Sequence, residues 1–520
     1  MDALTMGSVV RRSAAQYPHR TAFIFGEERC TYAAYNQRVN RAAHMLLGLK
    51  IDKGDHIAIL GRNSIRYLES CHAAAKVGAV FGPINWRLAA PEIAFIIKDG
   101  DNKVLLIEHG FQDLVASIRE ELSDVTLVVY GGKTTLEGAY QFEDLAADAP
   151  DGEPGIEVAG DDPAVVMYTS GTTGLPKGAV LTHSNVCWDS IAALTYLTPG
   201  PSDCFLLSMP MNHVSGLHTQ TTTFLARGLP IVIMPQWEPE EACRLIERHR
   251  VTMAYILVTP LYQLMASKAY ERYDLTSLCR VSTAAATYTP EFTAEVMAGL
   301  GIEGIYFFYG LSEASPIVSA TEISAQMIAK PNTMGFPVWY VDVEIFDDND
   351  QPLPRGEIGE IVVRGPNVFS GYYKRPEANA EVLRGGWLHT GDIGYLDDDN
   401  FIFFVDRKKD MIKSGGMNVY SLEVEQGLAK AVPEISEVAV VGLPDDAWGE
   451  AVIAFVVLKA GAELTEADII AAARAHLGGY KLPKKIVFRT ELPKNVSGKV
   501  LKRRLREEFM SSADAAGKGA

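Results

Sequence analysis

Cysteine is scarce in this chain and forms no motif. The six cysteines (Cys30, Cys71, Cys187, Cys204, Cys243 and Cys279) are scattered without a C-x-x-C pair. That excludes a zinc or disulfide framework and fits reduced thiols in a cytoplasmic protein. Positive charge is also in deficit: 48 Lys and Arg against 65 Asp and Glu leave a formal net charge of −17. Nucleic acid and anionic membrane surfaces would repel such a chain. No apolar run approaches the roughly 20 residues a membrane-spanning helix needs. The opening Met-Asp-Ala-Leu-Thr-Met has no basic segment leading into an apolar one, so no secretory signal is expected. What is present is 520 residues with 48% hydrophobic and 22% charged content. This is ordinary globular composition, too long for a single core.

Short apolar runs alternate with helix-like segments over the first 310 or so residues. His56 to Leu60, Val104 to Ile107, Leu127 to Tyr130 and Ala164 to Met167 read as buried strands. A second series runs Cys204 to Ser208, Pro230 to Met234, Met253 to Val258, Arg280 to Thr283 and Gly304 to Phe308, with an amphipathic helix at Glu240 to Arg250. Such alternation implies parallel βαβ units. Asp151 to Pro163, rich in Gly, Pro and acid, reads as a joining loop. Beyond about residue 335 the pattern becomes polar–apolar alternation. Val341 to Phe346 and Glu357 to Val363, separated by Asp347-Asp-Asn-Asp350, predict antiparallel hairpins and a small β-barrel. A third region after Asp406 carries strands at Val438 to Val441, Val452 to Leu458 and Ile486 to Phe488, with a helix from Glu466 to His476. Ser511 to Ala520 has no hydrophobic pattern and reads as a disordered tail.

The stretch Tyr168-Thr-Ser-Gly-Thr-Thr-Gly-Leu-Pro-Lys-Gly178 follows a buried strand and combines glycines, hydroxyls and a lysine. Glycines let backbone N–H groups approach a phosphate, hydroxyls add donors, and Lys177 adds charge. It is not the G-x-x-x-x-G-K-[ST] loop of common nucleotidases, because Gly171 and Gly174 lie too close together.

This segment resembles the phosphate-binding signature of the adenylate-forming superfamily: acyl-CoA and aryl-CoA synthetases, firefly luciferase and the adenylation domains of peptide synthetases. Four further stretches agree in family order: Tyr309-Gly-Leu-Ser-Glu313, His389-Thr-Gly-Asp392, Asp406-Arg-Lys-Lys-Asp410 and Pro493-Lys-Asn-Val-Ser-Gly-Lys499. The resemblance implies an α/β fold with a large N-terminal adenylation domain over residues 1–406, built of two βαβ-type subdomains plus the small barrel. A small mobile α/β lid follows over 407–510, with its hinge near Lys409 and the tail at 511–520.

The chemistry implied joins a carboxylate to the α-phosphate of ATP, expels pyrophosphate, and then passes the acyl group to coenzyme A. Both first reactants are anions, so cations, Mg²⁺ and oriented N–H donors are required. By resemblance, Thr169, Ser170, Gly171, Thr172, Thr173, Gly174 and Lys177 grip the outer phosphates. Tyr309, next to Phe308 and Gly310, lies against adenine, Ser312 bonds a phosphate oxygen in place of the usual Thr, and Glu313 with Thr169 supports Mg²⁺. Asp392 and Arg407 hold the ribose. Lys499 sits in a basic region, Lys481 to Arg506, and catalyses adenylation. Rotation at Lys409 then presents Lys413, Ser414, Gly415 and Gly416 to coenzyme A.

By resemblance the acyl pocket falls to His213, also a catalytic candidate, and to Val214, Thr287, Tyr288, Pro316 and Ile317, with Ala284 and Ala285, also read as ATP-binding, forming a wall between adenine and acyl group. These are small or apolar side chains for the most part, suited to a fatty, alicyclic or aromatic acid. Three places depart from the family: Asn212 stands where relatives often have an aromatic, Ser282-Thr-Ala-Ala-Ala286 where they are Gly-rich, and Phe307-Phe308 where they carry smaller or more polar residues. Phe205 to Gly216 contains no acid that could hold a substrate amine. An acid–CoA ligase in fatty-acid or aryl-acid metabolism is therefore expected, as monomer or homodimer. Transfer to a carrier protein or amine is the alternative, and a non-catalytic nucleotide-binding scaffold or a luciferase-like oxidation stands further off.

Overall fold

The computed structural model describes residues 3–169, 176–284, 290–302, 304–322, 330, 333–415, 417–445, 448–494 and 500–517. The chain folds as two compact units, one of residues 1–343 with 363–389, the other of residues 344–362 with 390–520. Among the described residues no helix is long and apolar enough to cross a membrane.

In the first unit, an eight-stranded sheet runs in the order Gly371–Tyr372, Lys177–Thr182, Pro163–Thr169, Val80–Ile84, His56–Leu60, Asn102–Glu108, Thr126–Tyr130, Tyr140–Gln141. From Pro163–Thr169 onward its neighbours are parallel. Ile57, Ala58, Ile59 and Leu60 are all buried, so both faces are covered, which is why these strands read as unbroken apolar runs. On one face the helix Ala90–Asp99 packs Ile93 and Ile97 against Ala58, Leu60, Leu105 and Ile107.

A second sheet of this unit runs Thr333–Pro337, Ile317–Glu322, Ile305–Gly310, Arg280–Ala284, Met253–Tyr255, Phe205–Leu207, Ile231–Ile233, Thr21–Phe25, Glu28–Thr31. Its centre is parallel, as the alternation predicts. The expected helix appears as Pro239–His249, with the Glu238 carboxylate accepting from the amides of Glu240 and Glu241, a side-chain cap of otherwise orphaned donors. One expectation is corrected: the run from Met253 stops being strand at Tyr255, and Val258 opens the helix Val258–Ser267. Pro260 lies in that helix's first turn, where its missing N–H costs nothing.

Asp342–Phe346, Gly359–Arg364, Trp387–Leu396 and Ile402–Arg407, most of whose residues fall in the second unit, pair in that order. The acidic turn between the first two is held by Asp347 Oδ1, which accepts from the amides of Asn349 and Gln351, each at 2.8 Å. Trp387–Leu396 and Ile402–Arg407 are antiparallel, as expected; closure into a barrel is not seen among the described residues. A five-stranded mixed sheet follows, Met417–Val419, Ile412–Ser414, Gly449–Leu458 and Ile435–Asp445, with Lys485–Phe488 parallel to Gly449–Leu458. Helices Ser421–Ala431 and Glu466–Ala473 bury Val424, Leu428, Ile469 and Ala473 with Val440 and Val452 of that sheet. The last helix, Lys502–Gly517, continues into the stretch read as disordered. Alanines at 513, 515 and 516 carry strong helix propensity without an apolar stripe, the signal used for the sequence reading.

Candidate active site

The phosphate-loop lysine lies on a strand. Pro163–Thr169 and Lys177–Thr182 are antiparallel, with Thr169 opposite Lys177, so the Gly/Thr segment is the connection of a hairpin and not a free loop after one strand. Lys177 Nζ lies 5.3 Å from the ring centre of Tyr372, and the Tyr372 hydroxyl donates to Glu313 Oε1 at 2.7 Å. Burial, then the negative charge of Glu313, push the Tyr372 phenol pKa well up, so it stays a donor. The backbone joins the same parts. Phe369 N donates to Glu313 O at 2.9 Å, Ser370 N to Val180 O at 3.0 Å and Tyr373 N to Gly178 O at 2.8 Å. A cation, an aromatic donor and a carboxylate are thereby assembled beside the phosphate hairpin.

Glu313 itself sits in the short turn Ser312–Ala314 after the strand Ile305–Gly310. A Cβ on Gly310 would lie 1.7 Å from Pro316 O, so the chain can fold back over this residue only as glycine. Ala284 pairs with Phe308 on the neighbouring strand, which sets the alanine wall beside the adenine-binding candidates. Phe308 is buried with its ring stacked on Tyr255, centroids 6.2 Å apart. Tyr309, one position on, is nearly buried, and Ser312 and Glu313 remain partly open.

On the acyl side, His213 is partly covered and precedes the π-helical turn Ser215–Thr219. Loss of hydration, reinforced by the charge of Arg87, lowers its pKa to about 4. It is a neutral imidazole at physiological pH. Gly216 is required here too, since a Cβ would lie 2.2 Å from Pro210 O. Val214, Pro316 and Ile317 are buried.

The remaining described candidates belong to the second unit. Asp392 lies within the strand Trp387–Leu396, directly opposite Arg407. The reason is Gly391, at φ +70°, which the chain passes while keeping the ladder. Asp392 Oδ1 and Arg407 Nε are 3.3 Å apart, an acceptor and a donor set side by side, as a ribose diol needs. The Gly391 amide donates to Glu360 Oε1 at 3.1 Å, and Lys408 Nζ lies 3.1 Å from Glu360 Oε2. Lys409 is exposed, between the buried carboxyls of Asp406 and Asp410. Lys413 is exposed, its amide donating to Glu450 Oε2 at 2.6 Å. Ser414 is buried, and Gly415 adopts φ +58° with its amide donating to Trp448 O at 2.7 Å.

Ser170, Gly171, Thr172, Thr173, Gly174, Ala285, Thr287, Tyr288, Gly416 and Lys499 lie outside the described residues. The structure adds Tyr372, which the sequence reading did not single out. Its only advance signal was an aromatic directly after Gly371 in a segment with no helical or strand period.

The chain was compared with known proteins. The AMP-binding enzyme family matches residues 10–373, and the AMP-binding enzyme C-terminal domain matches residues 423–499. A feruloyl-CoA synthase of an Amycolatopsis species is 36% identical over 97% of this chain and 99% of its own length. The long-chain-fatty-acid–CoA ligase FadD13 of Mycobacterium tuberculosis is 35% identical over 98% of this chain and 99% of its own. Among solved structures, o-succinylbenzoate coenzyme A synthetase from Bacillus subtilis, in complex with ATP and magnesium ion, superposes with a TM-score of 0.84 at 28% identity, covering 96% of this chain and 98% of that one. Motif order, hairpin, acidic turn and full-length similarity lead to one conclusion: the chain belongs to the AMP-binding enzyme family and is an ATP-dependent acid–thiol ligase.

Proposed function

We propose that this ligase activates an apolar aromatic or fatty acid, forming an acyl-adenylate and then an acyl-CoA, in the cytoplasm. The observation that carries the reading is the grouping of Lys177, Tyr372 and Glu313 beside the phosphate hairpin. In the first half-reaction a carboxylate oxygen attacks the α-phosphorus of ATP and the bond to pyrophosphate breaks. Lys177 and the hairpin donors offset the charge of the outer phosphates as that group departs. We assign the ribose to Asp392 and Arg407. Glu313, a carboxylate braced by a phenol, and the hydroxyl of Thr169 are hard oxygen donors of the kind that suit Mg²⁺. When bound, Mg²⁺ neutralises phosphate charge.

In the second half-reaction the coenzyme A thiol attacks the acyl carbonyl and AMP leaves. We assign adenylation to Lys499, the hinge to Lys409 in the 407–510 lid, and the thiol-side face to Lys413, Ser414, Gly415 and Gly416. His213 is neutral and Val214 and Ile317 are buried, a wall that suits an apolar tail. Feruloyl and long-chain acyl groups, the named substrates of the two relatives above, are both of this apolar kind. The test is a panel of aromatic and fatty acids, followed by AMP and thioester release and by exchange of labelled pyrophosphate into ATP. Lys499→Ala is expected to lower exchange by about a hundredfold or more, while thioester formation from supplied acyl-AMP persists. Equal loss in both half-reactions would refute the two-face mechanism.

A further inference from the structure

The helix His183–Leu197 begins where the phosphate hairpin ends, and one of its faces is polar and buried. Asn185 is on that face. Its amide donates to Pro366 O at 2.8 Å and Val368 O at 2.9 Å, just before Phe369, whose own amide holds the Glu313 carbonyl. Asp189, one turn later, is also buried. Its Oδ1 accepts the Ile317 amide at 2.9 Å, and its Oδ2 accepts the Thr219 hydroxyl at 2.8 Å. Asn367 Nδ2 donates to the carbonyl of the same Ile317 at 2.7 Å. Thr219 ends the π-helical turn that follows His213, and Ile317 opens the strand after the Glu313 turn.

We propose that Asp189 is a positioning residue for adenylation: one carboxyl ties the turn beside His213 to the strand after Glu313, so the acyl wall and the phosphate end of the pocket keep a fixed separation. An in-line attack on phosphorus is sensitive to such spacing, because a misplacement of about 1 Å can cost a hundredfold in rate. The carboxyl has the chemistry for the task. Burial, the larger influence, outweighs its two hydrogen bonds and raises its pKa to about 8. Near neutral pH it is therefore an uncharged acid: Oδ1 still accepts the Ile317 amide, while a proton on Oδ2 reverses the bond to the Thr219 hydroxyl, which then accepts as it would from an asparagine amide. The proposal rests on the roles assigned above to His213 and Glu313.

The experiment measures pyrophosphate exchange and thioester formation from supplied acyl-AMP for the wild type, Asp189→Leu, Asp189→Asn and Thr219→Val. Asp189→Leu should lower exchange about tenfold or more, with thioester formation reduced less than about threefold. Asp189→Asn should restore exchange to within about threefold of the wild type. Thr219→Val cuts one arm and tests the tie should the leucine variant not fold; it too should lose exchange selectively. Equal loss in both half-reactions, an asparagine variant as impaired as the leucine one, or a valine variant with wild-type exchange would each overturn the proposal alone. Wild-type enzyme that exchanges with no acid would overturn the ligase reading and the proposal with it.

Discussion

A carboxylate that serves a metal–phosphate complex works best when its orientation is set before substrate arrives. Glu313 meets this condition through two partners from one segment, the Tyr372 hydroxyl on its side chain and the Phe369 amide on its carbonyl. Removing the phenol leaves the backbone contact intact, so Tyr372→Phe isolates the side-chain contribution. A hydrogen bond to a charged group is worth about 1.5–3 kcal/mol. Allowing for water replacing the lost hydroxyl, kcat/KM for MgATP should fall about tenfold, or about 1.4 kcal/mol. Steady-state pyrophosphate exchange measures it, and an unchanged kcat/KM would mean that the backbone alone orients Glu313.

At the scale of elements, the two units use the same device: a buried acid on one element secures the start of another. Asp406, at the end of the strand Ile402–Arg407, accepts the Ser421 amide and, through Oδ1, the Ser421 hydroxyl at 3.1 Å. The helix Ser421–Ala431 has no side-chain cap of its own at Tyr420, so a distant carboxylate supplies it. Asp406→Ala strips acceptors from buried donors, a loss of about 1–2 kcal/mol. Amide exchange in the first turn of that helix should quicken about tenfold; unaltered exchange would show that Lys502, whose Nζ donates to Ser421 Oγ at 2.6 Å, holds the turn unaided. This device also explains what the sequence made legible. Asp392 and Arg407 could be named from it because each stands in a short motif whose residue order is itself the signal. The strands could be named because both their faces are apolar. Tyr372 and Asp189 carry no local pattern; their partners lie 59 and 128 residues away, and only the assembled sheet brings them together. Alternation reports which face of a strand is wet, but closure depends on which strand each edge meets.

For the whole molecule, buried titrating groups predict a stability optimum on the acid side of neutrality. Burial lowers the pKa values of His72 and His218 to about 3 and those of His183 and His213 to about 4. Below the ordinary histidine value near 6.5 the unfolded chain takes up these protons while the folded one does not. Stability is thus lost as pH falls through that window, by up to about 1.4 kcal/mol per pH unit for each group. Asp189 acts in the opposite sense. Its ordinary pKa is 3.8 and its folded value about 8, so its contribution is full at low pH and declines as pH rises toward 8. Glu69 and Glu425, raised by burial, add to Asp189. Between about pH 6.5 and 5 these four histidines, with His56 lowered by burial as well, outnumber the three raised acids; below about pH 4.5 carboxylates whose pKa values are lowered, such as Glu153 beside Lys76 and Asp55 beside Lys103, join them. Above pH 6.5 the histidines no longer titrate and Asp189 sets the slope. The urea midpoint of the wild type should be greatest near pH 6.5, fall steeply by pH 5 and decline gently toward pH 8. Asp189→Asn, which cannot ionise, should flatten the alkaline limb and steepen the acid limb, because the opposing slope of the wild-type carboxyl runs from about pH 4 to about 8. A wild-type maximum at pH 8, or an asparagine variant with the full alkaline decline, would show that Asp189 does not keep its proton in the folded protein.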